Sequence, residues 1–262
     1  MLEGSSVDPS RLTLEILEGR DFGETVVALD LLRRLRDLGV HLAMDDVGSA
    51  YSSLLRLKDL PVDKVKLDQG FVRTLESRPR DLHFVEAVMD LSHRLNLAFV
   101  VEGVETEGIL DAMRMLGVDF LQGYAISRPL SLENLKKFFR DFHTEELCLP
   151  KSVLGLYARS VQIHGMQMDV LLQNPDFLDM AFLSEDRSCP VWNMMVDLKI
   201  PPGGGIDRLH RRYHRALAKI SQKVRGRGKG LLEADLIPAR GAMEALTEAI
   251  LAEDQRRRRE GR

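Results

Sequence analysis

The chain has 262 residues, 44% of them hydrophobic, enough for one large or two ordinary domains with a sizeable core. Its formal net charge of −3 leaves no electrostatic footprint for a nucleic acid duplex. Two cysteines, Cys148 and Cys189, are too few for a disulfide framework, so reduced thiols or a metal role are expected. No apolar run approaches the roughly 18 residues of a membrane span, and residues 1–11 are polar rather than signal-peptide-like. A cytoplasmic location is expected.

From Leu12 to Arg140 short apolar runs alternate with helical periodicity. Strands are predicted near 12–17, 42–46, 64–68, 99–102 and 120–121, and helices near 25–38, 52–57, 81–95, 106–116 and 132–142. Strands that alternate with helices imply parallel βαβ units. Carboxylates stand at the C-terminal ends of the runs: Glu15 in LTLEI, Asp45 and Asp46 in HLAMDD, Asp68 in VKLD, Glu102 and Glu105 in FVVEGVE. In a parallel sheet or barrel those ends share one mouth, where oxygen-liganded divalent metals sit. Taken singly, such acids read as N-caps of the following helices and Lys66 as a surface residue. It is their number and order that favour a site.

Around Pro150 the β-type runs give way to helical periodicity, which places a domain boundary between residues 12–142 and 152–260. Helices are predicted near 152–172, 175–183, 191–198, 206–224 and 240–258, forming a small all-α bundle. The Pro201–Gly205 break reads as a plain loop, because no strand precedes it as a phosphate loop would require. Arg256–Arg259 reads as a frayed, solvated tail. His210 and His214, at i and i+4, share a helix face, and with His164 and Cys189 they make the four nitrogen and sulfur donors of a closed zinc site. Against this stands a buried, apolar Cys189 among partly exposed histidines. Met166, Met168, Met180, Met194 and Met195 read as core filler.

The segments LTLEILE, DDVGSAYSSL, VKLDQGFV, VVEGVET and QGYAISRP closely resemble, in order, the motifs of EAL-type cyclic di-GMP phosphodiesterases. The resemblance implies an α/β fold, a partial (β/α) TIM-like barrel of the EAL type, and a phosphoric diester hydrolase using Mg2+ or Mn2+. Glu15, Asp45, Asp46 and Glu102 match metal ligands, Lys66 the site's lysine, and Gln122 a residue lining the same site. Glu18 and Glu105 match acids that hold the active-site loop and shell, and Arg128-Pro129 the closing motif near the ligand. The chain departs from the pattern in lacking the opening signature Glu and a later Asn ligand. Val47 and Ala50 also replace the family's Phe and Gly. A chain starting at the third motif holds about half of a barrel of about 250 residues. It is therefore expected to be inactive as a monomer, with unpaired strand edges that favour a homodimer or membership of a longer multidomain signalling protein. The alternative is a catalytically inactive remnant serving as a binding or scaffold module. In the second region HGM, CPVW and LHRRYHRAL resemble the CZB zinc-binding regulatory bundles, which implies Zn2+ at His164, Cys189, His210 and His214. There Met166 and Trp192 replace the usual aromatic and glycine.

Overall fold

The computed structural model describes residues 6–17, 26–48, 57–142, 149–173, 186–227 and 233–261. Glu18, Ala50, Cys148, Met180 and the predicted helix 175–183 lie outside them, as does all but the last residue of the helix predicted at 52–57. The chain divides into two compact units, Met1–Met113 with Gly117–Thr144, and Arg114–Leu116 with Glu145–Arg262.

In the first unit the described strands and α-helices are β1 Thr13–Ile16, α1 Val26–Asp37, β2 His41–Val47, β3 Lys64–Leu67, α2 Gln69–Arg73, α3 Leu82–Arg94, β4 Ala98–Val101, α4 Glu107–Leu116 up to Met113, β5 Phe120–Leu121 and α5 Leu132–Asp141. The five strands form one sheet in the order β1-β2-β3-β4-β5, every pair parallel. Leu42, Val47, Val65, Leu67, Phe99 and Val101 are fully buried, as expected where helices cover a parallel sheet. The edge strand β1 is largely exposed, and among the described residues it pairs only with β2.

Two aspartates pin the strand starts. Asp63, just before β3, accepts the Leu42 N–H of β2 at 2.9 Å and pairs with Arg36 at 3.1 Å. Asp119, just before β5, accepts the Phe99 N–H of β4 at 2.8 Å and pairs with His93 at 2.9 Å. The two sites are alike: a Val-Asp pair entering one strand fixes the register of its neighbour. Gly39 and Gly117, predicted as helix C-caps, take φ of 91° and 79°, the left-handed conformation that ends a helix.

The described elements of the second unit are helical: α6 Val153–Gln173, α7 Pro190–Asp197, α8 Gly205–Arg227, α9 Glu233–Arg259 and a short 3-10 turn at Asp186–Ser188. Tyr213, Leu217 and Ile220 of α8 pack with Leu236, Ala239 and Ala242 of α9 and Met168 of α6. Three expectations need correction. The last helix begins at Glu233 and runs through Pro238, rather than starting after it; near the N-terminus of a helix proline forfeits only one ladder bond. The arginine run is not a frayed tail. It belongs to α9, where Arg256 and Arg257 pair with Glu253, and Arg258 with Asp254, at helical spacing. Met166 is 60% exposed and so is not core filler, whereas Met168, Met194 and Met195 are buried.

Candidate functional sites

Consecutive side chains of a regular strand point to opposite faces, yet the first unit needs Asp45 and Asp46 in one place. The β2–β3 register shifts between Met44 and Val47, and Asp46 takes φ of 56°. This bulge and left-handed residue re-aim the chain, at a cost of order 1 kcal/mol or more. As a result Asp45, Asp46 and Glu102 offer oxygens that lie within 4.8 Å of one another.

Lys66, 6% exposed on β3, stands among them. Its Nζ is 2.6 Å from Glu102, 2.7 Å from Glu15 and 3.0 Å from Asp45. Burial disfavours its charge, but hydrogen bonds to Glu102, Glu15 and Asp45 prevail and raise its pKa above the usual lysine value. Asp46 is pushed up, first by burial and then by the charges of Asp45 and Asp68, with Lys66 acting the other way. Four carboxylates thus face one ammonium. A partly exposed set this rich in oxygen anions fits a hard divalent cation.

Beside this cluster an open cavity of about 570 Å³ is lined by Arg73, Glu102, Glu105, Gln122, Tyr124 and Arg128, among others. Glu105 accepts from the Arg73 guanidinium of α2 through Nε at 2.9 Å and Nη2 at 2.7 Å. The Arg128 guanidinium lies 4.9 Å from the Tyr124 ring centroid. Gln122 is placed by its backbone, which accepts from the Val104 N–H at 3.1 Å and donates to Val101 at 2.9 Å. Glycine is dictated next to it: a Cβ on Gly123 would sit 2.1 Å from the Val104 carbonyl oxygen. Gly103, with φ of 67°, would drive a Cβ to 2.5 Å from that of Gln69. The EGV and QGY segments therefore pack backbone to backbone beneath the cavity.

Sequence reasoning missed Arg73 as the partner of Glu105. Asp68, the remaining strand-end acid, is an N-cap as the simpler reading has it, accepting the Gly70 N–H at 2.8 Å.

Residues 1–129 match the EAL domain family model. The EAL region is 40% identical over 130 residues to the bifunctional diguanylate cyclase/cyclic di-GMP phosphodiesterase MucR of Pseudomonas aeruginosa, covering 50% of this chain and 19% of MucR. It is 38% identical over 141 residues to the cyclic di-GMP phosphodiesterase NbdA of the same organism, covering 54% of this chain and 18% of NbdA. The chain thus spans less than a quarter of the length of these curated relatives. A solved structure of PaMucR phosphodiesterase in complex with c-di-GMP is 40% identical, with a TM-score of 0.47, over 51% of this chain and 54% of that one.

Beyond the EAL region, the second unit gathers another donor set. His164 on α6, Cys189 at the N-cap of α7, and His210 and His214 on α8 each offer a ligand atom, all within 4.8 Å of one another. All four are buried to 1% exposure or less, so the histidines are not partly exposed as the competing reading of this cluster had them. Ser160 Oγ lies 3.2 Å from His164 Nδ1, and His210 Nε2 lies 3.2 Å from His214 Nε2. His164 Nε2 and His210 Nδ1 have no hydrogen-bond partner.

Burial, then the charges of His210 and His214, holds His164 well below the usual imidazole pKa, and burial, then His214, brings His210 down to about 3 against the pull of Asp207. Burial pushes the Cys189 thiol up to about 11. His164, His210 and Cys189 are therefore uncharged near neutral pH. Neutral imidazoles with an orphaned Nε2 beside a cysteine suit a borderline-soft cation such as Zn2+. Asp207, whose carboxyl is held low by the Arg211 guanidinium, accepts the Gly203 N–H at 2.5 Å. It thereby ties the glycine-rich loop to α8, a structural role in keeping with the loop's plain reading.

Proposed function

We propose that the first unit is the strand-end acid site of a metal-dependent cyclic di-GMP phosphodiesterase, in a sheet that forms part of a (β/α) barrel wall. The observation that carries the reading is Lys66 Nζ, held within 3.0 Å of carboxylates from three different strands or strand ends beside a three-carboxylate cluster. The sequential strand order supports a barrel wall, since a doubly wound sheet reverses its order at a switch point.

Glu15, Asp45, Asp46 and Glu102 would hold Mg2+ or Mn2+, which supplies Lewis acidity to the phosphoryl oxygens and to the attacking water. The buried Lys66 ammonium orients that water and stabilises charge that builds on the phosphate. Gln122 and Arg128 offer donors to the dinucleotide, and Tyr124 offers an aromatic face. Glu105 keeps Arg73 at the cavity wall. The second unit is read as a zinc-binding regulatory bundle, held by His164, Cys189, His210 and His214.

Cyclic di-GMP hydrolysis by the whole chain, with Mn2+ or Mg2+, tests the catalytic reading, with binding followed by calorimetry. Metal-dependent binding or turnover that is lost in Glu102→Gln supports it. If the parent chain shows neither binding nor turnover with either metal, the reading falls. Zinc content of the purified chain, set beside that of His214→Ala, tests the second unit.

A further inference from the structure

Among the described residues of the second unit outside the donor cluster, Gln167 and Ser221 are buried with side-chain atoms that lack a hydrogen-bond or ion-pair partner, and Gln167 is the one that lies one helical turn from a donor of the cluster. Gln167 lies on α6 three residues beyond His164, on the same helix face, and is only 6% exposed. Neither its Nε2 nor its Oε1 has a hydrogen-bond partner. Burying an unpaired carboxamide costs about 1–3 kcal/mol, and a leucine or methionine would fill the same space without that cost. The residues around it are accounted for. Ser160 is at His164 Nδ1, and the Tyr213 hydroxyl donates to the His164 carbonyl at 3.1 Å.

What Gln167 has beside it is Cys189. The Gln167 side chain approaches the Cys189 sulfur, as do the backbone N–H groups of Val191 and Trp192 at the start of α7, and His164, one turn away on α6, offers a ligand atom within 4.8 Å of that sulfur. A neutral thiol is a weak acceptor and leaves the amide unengaged; a metal-bound thiolate keeps lone pairs and accepts N–H donors strongly.

We infer that Gln167 is a positioning residue, whose side-chain amide donates a hydrogen bond to the Cys189 sulfur when His164, Cys189, His210 and His214 hold a metal. The inference rests on the zinc reading of that cluster. It accounts for the orphaned carboxamide, which then fixes the sulfur opposite three imidazoles and draws off part of its charge. A carboxylate at this position would instead face the thiolate with like charge.

Cobalt(II) is the probe, added to the whole chain in place of zinc. Its d–d absorption reports four-coordination, and its sulfur-to-metal charge-transfer band reports the electron richness of Cys189. In Gln167→Met, which keeps the volume, loss of the hydrogen bond raises the sulfur donor level. The charge-transfer band should move to lower energy while the d–d bands stay in place, and zinc affinity should fall about 10- to 100-fold. Gln167→Asn, which retains the amide but withdraws it by one methylene, should give the same shift and serves if the Met variant does not fold. An unmoved charge-transfer band in the cobalt-loaded variants overturns the role of Gln167 and leaves the metal site standing. A wild-type chain that binds cobalt with no thiolate band, or binds none, overturns the zinc reading and this inference with it.

Discussion

The two donor clusters solve opposite electrostatic problems. In the EAL region oxygen anions outnumber cations, and the fold tempers their repulsion with an internal ammonium, Lys66, while Glu15 stays half exposed. In the second unit the four donors are sealed from water; His164, His210 and Cys189 carry no charge near neutral pH, and imidazole nitrogens of His164 and His210 are left unpartnered. An anionic, open cluster can persist by hydration and one lysine. A neutral, sealed one wastes its polar atoms unless a cation arrives. The first cluster is therefore expected to survive without metal as a folded unit, and the second to draw more of its stability from the metal.

Removing the internal cation breaks that contrast most directly. Lys66→Met leaves Glu15, Asp45 and Glu102 facing each other, which should cost about 3–5 kcal/mol in metal-free protein, as for a buried pair that loses one member. Any cyclic di-GMP turnover should drop by about 100-fold or more. Urea unfolding followed by far-UV circular dichroism checks the first effect. Added Mn2+ should restore more stability to the variant than to the parent, because the ion then serves as the missing positive charge. Equal gains in both would mean that Lys66 and the metal do not share these carboxylates.

Zinc removal sharpens the other half. A ligand that binds only the folded state stabilises it by about 4 kcal/mol at a thousandfold excess over its dissociation constant. The chain has one tryptophan, Trp192, on α7 beside Cys189, so its fluorescence isolates the second unit within the whole chain. Chelation should lower the unfolding midpoint read by Trp192, and His214→Ala should abolish the difference between chelated and zinc-loaded samples. A parent chain indifferent to chelator would remove the argument for a metal in this unit.

Smaller effects belong to the frame that holds the EAL acids. Asp63→Ala and Asp119→Ala should each cost about 1–3 kcal/mol, because each strips an acceptor from a strand N–H. The larger loss is expected for Asp63, which also holds Arg36 and is the more buried of the two.

These two aspartates also mark what the sequence could and could not disclose. All five strands and most helices of the EAL region are legible, because apolar runs of strand length alternate there with 3.6-residue periodicity. So are the acids, as each closes a run. That Asp45 and Asp46 could serve one site is carried by the family resemblance alone, since it depends on a bulge and a positive φ that strand alternation argues against. The Arg73–Glu105 pair joins residues far apart in sequence, and its only local signal is opposite charge. In the second unit the HxxxH spacing announces His210 and His214. Their burial, the convergence of His164 and Cys189, and the orphaned Gln167 arise from packing between helices and leave no periodic trace. The arginine run misleads because composition alone ignores Glu253 and Asp254 one turn earlier.

The finest test of the contrast is its pH dependence. In the metal-free second unit the folded-state pKa values of His164 and His210 lie below the ordinary 6.5, His210 at about 3, because burial penalises the imidazolium. Below pH 6.5 the unfolded chain therefore binds protons that the folded chain refuses. Stability rises with pH through this window, is complete above about 6.5, and falls as the solution is acidified towards 3. The slope should approach about 1.4 kcal/mol per pH unit for each such histidine, read from Trp192 unfolding curves between pH 6.5 and 5. His210→Asn should remove one histidine's share of the slope, whereas Glu102→Gln in the EAL region should leave it untouched. A metal-free midpoint that stays flat across that window would mean the imidazoles are charged or hydrated in the folded state, and the sealed, neutral cluster would not describe this unit.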